Sequence, residues 1–389
     1  MHTAFFTNSY QPVMSGVVRS ISTFRSALTQ MGHNVFIFAQ HADDHEDTEP
    51  FIFRYPSIEV PPYQDYPLSI PLSPFVDRLL PSLKLDVIHS HHPFLIGGVA
   101  ADKARRLQVP LVFTFHTRYR DYSHYIALNQ PFVKDQIDRW VKDYLRRCHH
   151  IIAPSESMRS LLAEEYGVLD QVSVVPTGID LALYEQASGE AVRQRLGWQD
   201  KIVLISIGRL AKEKNWALLL DAAAPILQNH ENTLLAVLGD GAERSELEKR
   251  AAALHIAESV AFLGSIPMTD IPAYLKAADL FCFASTTETQ GLVTMEAMAA
   301  GLPVVAVDAT GTRDAVEHDR EGLLTPNDSK ALSRALEEML ADETVRAKFS
   351  RQALIKAQSF EIRKQGEKLI AAYKQAQEAA RAGHFVTVE

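Results

Sequence analysis

Short runs of apolar residues alternate along the chain with longer stretches of helical spacing. The run at 4–7 (Ala4-Phe5-Phe6-Thr7) predicts a strand, 8–16 a loop and 17–31 a helix that Gly32 stops, with a second strand at 35–38. Further strands are expected at 85–88, 110–115, 150–153 and 172–175, with helices over 97–107 and 134–148. A second series begins at Lys201, with strands at 202–207, 234–238, 260–263, 280–283 and 304–307 and helices over 216–228 and 242–254. Strands that are apolar throughout and separated by helices predict parallel sheets covered on both faces. The fold class is therefore α/β, as two doubly wound, Rossmann-like domains over 1–187 and 188–359, joined by a hinge within 176–198. A long amphipathic tail helix is expected over 360–380, in a terminal segment (360–389) that packs back on the first domain.

Ligands of open parallel sheets bind outside the carboxyl ends of the strands. Two such sheets face to face would hold a ligand in the cleft between them, so the residues that carry chemistry should follow strands.

Composition narrows the function classes. At 389 residues, 47% hydrophobic and 22% charged, the chain can bury two sizeable cores and is not disordered or fibrous. Its net charge of −9, shared as −3 over 1–180 and −6 beyond, argues against a nucleic-acid partner held by bulk electrostatics. Cys148 and Cys282 cannot build a disulfide framework and suit a reducing cytosol. The first residues lack the positive region of a signal peptide, and no stretch approaches the ~18 consecutive apolar residues of a spanning helix. A cytoplasmic location is expected, at most peripheral on the inner face of a membrane.

The segment after strand 280–283 carries Glu288, Gly291, Leu292, Val293 and Glu296. Gly291 opens a helix whose first amides lack intrahelical partners, and such an N-terminus suits a diphosphate or a sugar hydroxyl. Glu288 can accept hydrogen bonds from ligand hydroxyls, and Glu296 can do so at a second sugar ring. After strand 202–207 come Arg209 and Lys214, a guanidinium fork and a point charge suited to a diphosphate leaving group. The first group alone could be acidic residues placed near a helix N-terminus for its dipole, and the second a solvated charged loop; together they suit a diphosphate and the hydroxyls of a sugar.

With these residues in view the chain resembles the retaining glycosyltransferases of family 4, which have the GT-B fold. The resemblance spans nearly the whole chain and includes the first loop with Gly16, the run Asp86-Val87-Ile88-His89-Ser90-His91, His116, and Pro154-Ser155. The strings His116-Thr117-Arg118-Tyr119-Arg120-Asp121-Tyr122 and Thr286-Thr287-Glu288-Thr289-Gln290-Gly291 are similar to the bacterial branch that glucosylates diacylglycerol, the monoglucosyldiacylglycerol synthase type.

The resemblance implies a role for each matched residue. Gly16 lets the first loop meet the diphosphate, and His116 hydrogen-bonds the donor sugar near its 6-hydroxyl. Arg209 and Lys214 neutralise the departing diphosphate. Glu288, with the amides of Gly291 and Leu292, holds the 3- and 4-hydroxyls; Val293 also falls on the donor side, Glu296 takes the ribose and Gly239 lies beside the nucleotide. Tyr119, Asp121 and Tyr122 fall on the acceptor side. It further implies a hexose donor, UDP-glucose foremost, no metal in the phosphate site and no cofactor beyond the nucleotide sugar. The acceptor is a lipid, diacylglycerol or a related glycerolipid; a soluble sugar or small metabolite is the alternative, and a catalytically silent nucleotide-sugar sensor a further one.

Other features are weighed down. His89, His91 and His92 crowd one strand end but lack the accompanying ligands of a zinc site, and read as histidines lining the cleft. The acidic run 43–47 reads as a solvated loop. Gly239-Asp240-Gly241 is not a dinucleotide fingerprint. The stretch 66–84, where membrane-bound members of this branch tend to carry a basic amphipathic helix, holds four prolines and only Arg78 and Lys84 as cations, so a long helix is not expected there.

Overall fold

The structure, a computed structural model, describes residues 1–13, 15–42, 45–58, 68–120 and 130–389, with the side chains of 130 and 131 set aside. The chain divides into two compact units, one made of Met1–Gly178 and Ile362–Glu389, the other of Ile179–Glu361. The crossing thus falls at 178/179, nine residues before the boundary expected from sequence.

In the first unit the strands are β1 (His2–Phe6), β2 (Asn34–Gln40), β3 (Ile52–Tyr55), a small antiparallel pair β4 (Ser57–Ile58) and β5 (Leu68–Ser69), then β6 (Val87–Ser90), β7 (Leu111–Thr114), β8 (His150–Ala153) and β9 (Val172–Val174). The main sheet is parallel, in the order β3-β2-β1-β6-β7-β8-β9. Successive side chains of a strand enter opposite faces, so neighbours in sequence serve different cores. Phe6 and Ile88 join Phe38, Phe113 and Ile151 on one face; Phe5 and Val87 join Ile37, Val112 and Ile152 on the other. The second face is covered by the helix Gly16–Gln30 and by the terminal helix Ile362–Arg381, which buries Leu369, Ala372, Tyr373 and Ala376 against it. A buried leucine or tyrosine contributes about 1.5–3 kcal/mol, which accounts for a long tail holding its place without a local partner. Gly366 lets this helix approach closely, since a Cβ there would lie 3.1 Å from Met31 Sδ and 3.2 Å from Ala27 Cβ.

The second unit holds β10 (Ile202–Ile207), β11 (Thr233–Leu238), β12 (Val260–Gly264), β13 (Leu280–Phe283), β14 (Val304–Val307) and β15 (Gly322–Thr325), all parallel, in the order β12-β11-β10-β13-β14-β15. Each sheet reverses its winding once, between β1 and β6 in the first unit and between β10 and β13 in the second. These are the topological switch points at which doubly wound sheets take ligands.

Two strands of the main sheets, β3 and β15, went unread in the sequence, as did the short pair β4 and β5. β3 is only half-buried over most of its length. β15 opens on Gly322, where a Cβ would strike the Val304 carbonyl at 1.9 Å, so its first position carries no side chain to signal a strand. Within 66–84, proline starts a helix as well as limiting one. Pro74 occupies the first turn of the helix Pro74–Leu79, capped by Ser73 Oγ accepting from the Val76 amide at 3.3 Å, and a 3-10 turn over Leu80–Leu83 follows. Val76 and Leu80 enter the core, whereas Leu72 and Phe75 are 73% and 63% exposed. Residues 66 and 67, the first two of this stretch, lie outside the described residues.

Candidate functional site

In the second unit, the loops after β10 and β13 emerge side by side because those strands are sheet neighbours, with Leu204 opposite Leu280. The Lys214 ammonium donates to Glu288 Oε1, and both side chains are largely withdrawn from solvent. Two backbone contacts stitch the same loops. Asn215 Nδ2 donates to the Ala284 carbonyl at 3.1 Å, and Thr287 Oγ1 to the Glu213 carbonyl at 3.4 Å. Arg209, more exposed, pairs with Glu213 at 2.5 Å. The sequence thus placed Arg209 and Lys214 after one strand and Glu288 after another, and the fold brings all three to one end of one sheet.

The loop carrying Arg209 is fixed through its backbone. Trp216 Nε1 donates to the Arg209 carbonyl at 2.9 Å, and the Leu210 amide donates to the Asp240 carbonyl at 2.9 Å. Gly239 (φ +139°) and Gly241 (φ +158°) make that approach possible: a Cβ on Gly239 would lie 2.0 Å from the Gly208 carbonyl oxygen, and one on Gly241 2.4 Å from that of Leu210. In the folded unit Gly239 therefore has a packing role toward the Arg209 loop, whatever it also does toward a nucleotide.

Gly291 caps the helix Leu292–Ala299 from a left-handed conformation (φ +72°) that a side chain rarely adopts. The first intrahelical bond runs from Met295 N to the Gly291 carbonyl, so the amides of Leu292, Val293 and Thr294 have no acceptor within the helix. Leu292 and Val293 are half-buried, and Glu296, one turn on, is fully buried. Gly311, absent from the sequence reading, supports this corner: a Cβ there would lie 2.6 Å from the Glu288 carbonyl oxygen. Asn215, Trp216 and Gly311 were missed because their contribution is to the backbone of other loops. The one available signal was Asn215, a residue type tolerant of the left-handed region, which it occupies at φ +58°.

At the first unit's switch point, Asn8 joins the loops after β1 and β6. Its amide donates to His92 Nδ1 at 3.1 Å, its Nδ2 to the Phe94 carbonyl at 2.9 Å, and its Oδ1 accepts from the Ile96 amide at 3.0 Å. Gly16 is the first residue of its helix, behind the Ser15 cap, and a Cβ there would meet nothing within 4 Å. The space over its backbone is open, in contrast to Gly239. Ser155 likewise caps a helix, accepting from the Met158 amide at 3.2 Å. Tyr119 is buried, edge-on to Phe94 and Phe115. Asp121 and Tyr122, expected on the acceptor side, lie outside the described residues.

His116 follows β7 and its Nε2 sits 2.9 Å from His91 Nδ1. His89, one residue pair back on β6, bonds Tyr373 of the terminal helix through Nδ1 (2.8 Å) and Thr114 through Nε2 (2.6 Å). Burial pushes His89 down to about 3 and His92 to about 4; it also holds His91 and His116 well below the ordinary histidine value, with the neighbouring imidazoles adding to the effect. The cluster is therefore neutral at pH 7. A histidine whose native pKa is depressed binds fewer protons folded than unfolded, so its contribution to stability is full above the unfolded value of ~6.5 and is lost as pH falls toward the native one. For His89 the loss by pH 5 is about 2 kcal/mol. Melting of the first unit, followed by calorimetry between pH 7.5 and 5, should move to lower temperature, and His89→Gln should flatten that dependence; a melting temperature constant over this range would contradict the neutral cluster.

Comparison with known proteins places these features in a family. Residues 14–183 match the family model described as Glycosyltransferase Family 4, and residues 189–356 match the one described as Glycosyl transferases group 1. Over 315 residues, 79% of this chain and 71% of the relative, the sequence is 36% identical to the alpha-monoglucosyldiacylglycerol synthase of Streptococcus pneumoniae. The synthase of the same name from Acholeplasma laidlawii is 29% identical over 78% of this chain and 80% of its own. The crystal structure of Anabaena HepE in complex with UDP-glucose superposes with a TM-score of 0.74, covering 98% of this chain and 100% of that one at 22% identity. The chain belongs to the group 1/family 4 glycosyltransferases and has their GT-B fold. It is thus a glycosyltransferase by family, as its motifs imply.

Proposed function

We propose that this glycosyltransferase moves glucose from UDP-glucose to the free hydroxyl of diacylglycerol or a related glycerolipid, with retention of anomeric configuration. The observation that carries the reading is the meeting of Lys214 with Glu288 at the switch point of the second unit, beside the first-turn amides of Leu292 and Val293, which have no acceptor within their own helix. Breaking the bond between sugar C1 and the phosphate oxygen leaves positive charge on the sugar and negative charge on the diphosphate, and stabilising both is the main catalytic task. Arg209, Lys214 and the helix amides address the diphosphate; Glu288 accepts from the sugar hydroxyls. The acceptor oxygen bonds C1 on the face the phosphate leaves, and its proton passes to the departing phosphate oxygen. No paired carboxylates of the glycoside-hydrolase kind are needed for this. His116 hydrogen-bonds the donor sugar, Gly16 presents open backbone to the diphosphate, Glu296 serves the ribose, and Tyr119, Asp121 and Tyr122 serve the acceptor.

The lipid acceptor is supported by the names of the two synthases above. Exposed Leu72 and Phe75 suit a peripheral contact with a membrane surface, and among the described residues no helix is long and apolar enough to cross one. A soluble acceptor is the second reading, favoured by the net charge of −9, which gives anionic lipid no attraction.

A donor-by-acceptor screen tests both. Purified protein receives UDP-, GDP- and ADP-sugars with and without diacylglycerol in mixed micelles, and nucleotide release is followed. Release from UDP-glucose should rise with diacylglycerol and yield an α-linked glycolipid. Turnover indifferent to lipid but stimulated by a soluble sugar would establish the second reading, and binding without any turnover would leave a sensor.

A further inference from the structure

The described histidines of the first unit include one that the transfer reaction leaves unused. His91 is fully buried on the continuation of β6, and its Nδ1 faces His116 Nε2 at 2.9 Å, with the ring centroids 5.2 Å apart and the ring planes inclined by 23°. Between two neutral imidazoles this contact holds one proton, and the ring that supplies it fixes the tautomer of both. The other nitrogen of His91 decides which. His91 Nε2 is buried and, among the described residues, has no hydrogen-bond partner; the ring lies against those of Phe5 and His89. Were His91 the acceptor, its proton would sit on Nε2 as an orphaned buried N–H, a rare arrangement; a bare acceptor lone pair is better tolerated.

We infer that His91 is a positioning residue that donates its Nδ1–H to His116 Nε2 and thereby holds His116 as the neutral Nδ1–H tautomer, oriented to donate from that edge to the sugar. The assignment deepens the role given to His116 under the proposed function and rests on it for its catalytic consequence, though not for the tautomer itself. His91 needs no contact with substrate. The close packing behind it supports a fixed ring: Phe5 lies edge-on at 5.0 Å and the His89 ring at 4.3 Å, and His89 is itself held at both nitrogens by Tyr373 and Thr114. Removing the donor would free His116 to exchange tautomers or turn over.

The test uses the full chain labelled with ¹⁵N-histidine. In the wild type, His116 Nδ1 should resonate as a protonated nitrogen and Nε2 as a bare one, with a through-hydrogen-bond coupling between His91 Nδ1 and His116 Nε2. In His91→Phe, which keeps a ring but no donor, the His116 signals should move to an average of the two tautomers. Its kcat should fall about tenfold or more with the KM for UDP-glucose within twofold, and His91→Asn, whose amide can donate near the position of Nδ1, should recover most of the loss. A protonated Nε2 on wild-type His116 would overturn the assignment without need of any variant. So would His91→Phe with unchanged His116 signals or unchanged kcat. If instead His116→Ala keeps full turnover, the role of His116 toward the sugar falls, while the wild-type spectrum still decides the tautomer.

Discussion

Lys214→Ala should lower turnover by about 10²–10³, the cost typical of removing one preorganised group that stabilises charge developing in a transition state. The size follows from the setting. The Lys214 ammonium is fixed beside Glu288 with only 23% of its side chain exposed, at the mouth of a sheet whose neighbouring helix has first-turn amides with no acceptor inside the helix. The backbone around it does not depend on its side chain, since Trp216 and Asp240 hold the loop and the Lys214 amide donates to the Ala211 carbonyl at 3.0 Å. The loss should therefore appear in kcat and not in the melting temperature. Lys214→Arg should restore little, because a planar fork cannot occupy the position of a compact ammonium next to a carboxylate that is 14% exposed. Since Lys214 and Glu288 contact each other, the double variant Lys214→Ala/Glu288→Gln should lose less than the product of the single losses. Exposed Lys212, two residues earlier, provides the control, and its alanine variant should stay within twofold of wild type. Steady-state kinetics of donor turnover decide the matter: a Lys214→Ala enzyme within a few-fold of wild type would remove Lys214 from the reaction.

Much of this architecture was legible because parallel strands buried on both faces spell themselves out. Ile202–Ile207, Leu280–Phe283, Val304–Val307 and His150–Ala153 stand where continuous apolar runs put them. The main-sheet strands that escaped, β3 and β15, are short and either half-exposed or begun by a glycine, so they lack that run. The site was legible at the level of charge: Arg209, Lys214 and Glu288 follow strands that the topology makes neighbours. What could not be read is the support beneath it. Asn215 and Trp216 tie into this corner through the main-chain carbonyls of Ala284 and Arg209, and the place of Gly311 is set by a backbone 23 residues earlier. Carbonyls carry no residue identity, so no pattern of side chains announces them. The same holds for His91, whose meaning appears only once β6 and β7 lie side by side and its ring meets that of His116.

Gly239→Ala should destabilise the second unit by about 3 kcal/mol, combining the strain of a side chain at positive φ with overpacking against fixed backbone. A unit of this size should then melt roughly 6–12 °C lower. The new methyl would lie 2.0 Å from the Gly208 carbonyl oxygen, and relief requires Gly208 to move. Movement there is transmitted at once. The Gly208 amide donates to the Leu238 carbonyl at 3.0 Å, Arg209 is the next residue, and Leu210 is tied to Asp240. The Gly239 amide also donates to the Gly264 carbonyl at 2.8 Å, so the glycine is held from the β12 side and cannot retreat. Turnover should consequently fall together with stability, through displacement of Arg209 and Lys214. Calorimetry and kinetics on the same preparation separate this account from its rival. If the glycine serves only to let a nucleotide approach the backbone, the alanine variant will melt where the wild type does and show only a raised donor KM. A lowered melting temperature with a lowered kcat instead identifies Gly239 as the piece of packing on which the cationic loop rests.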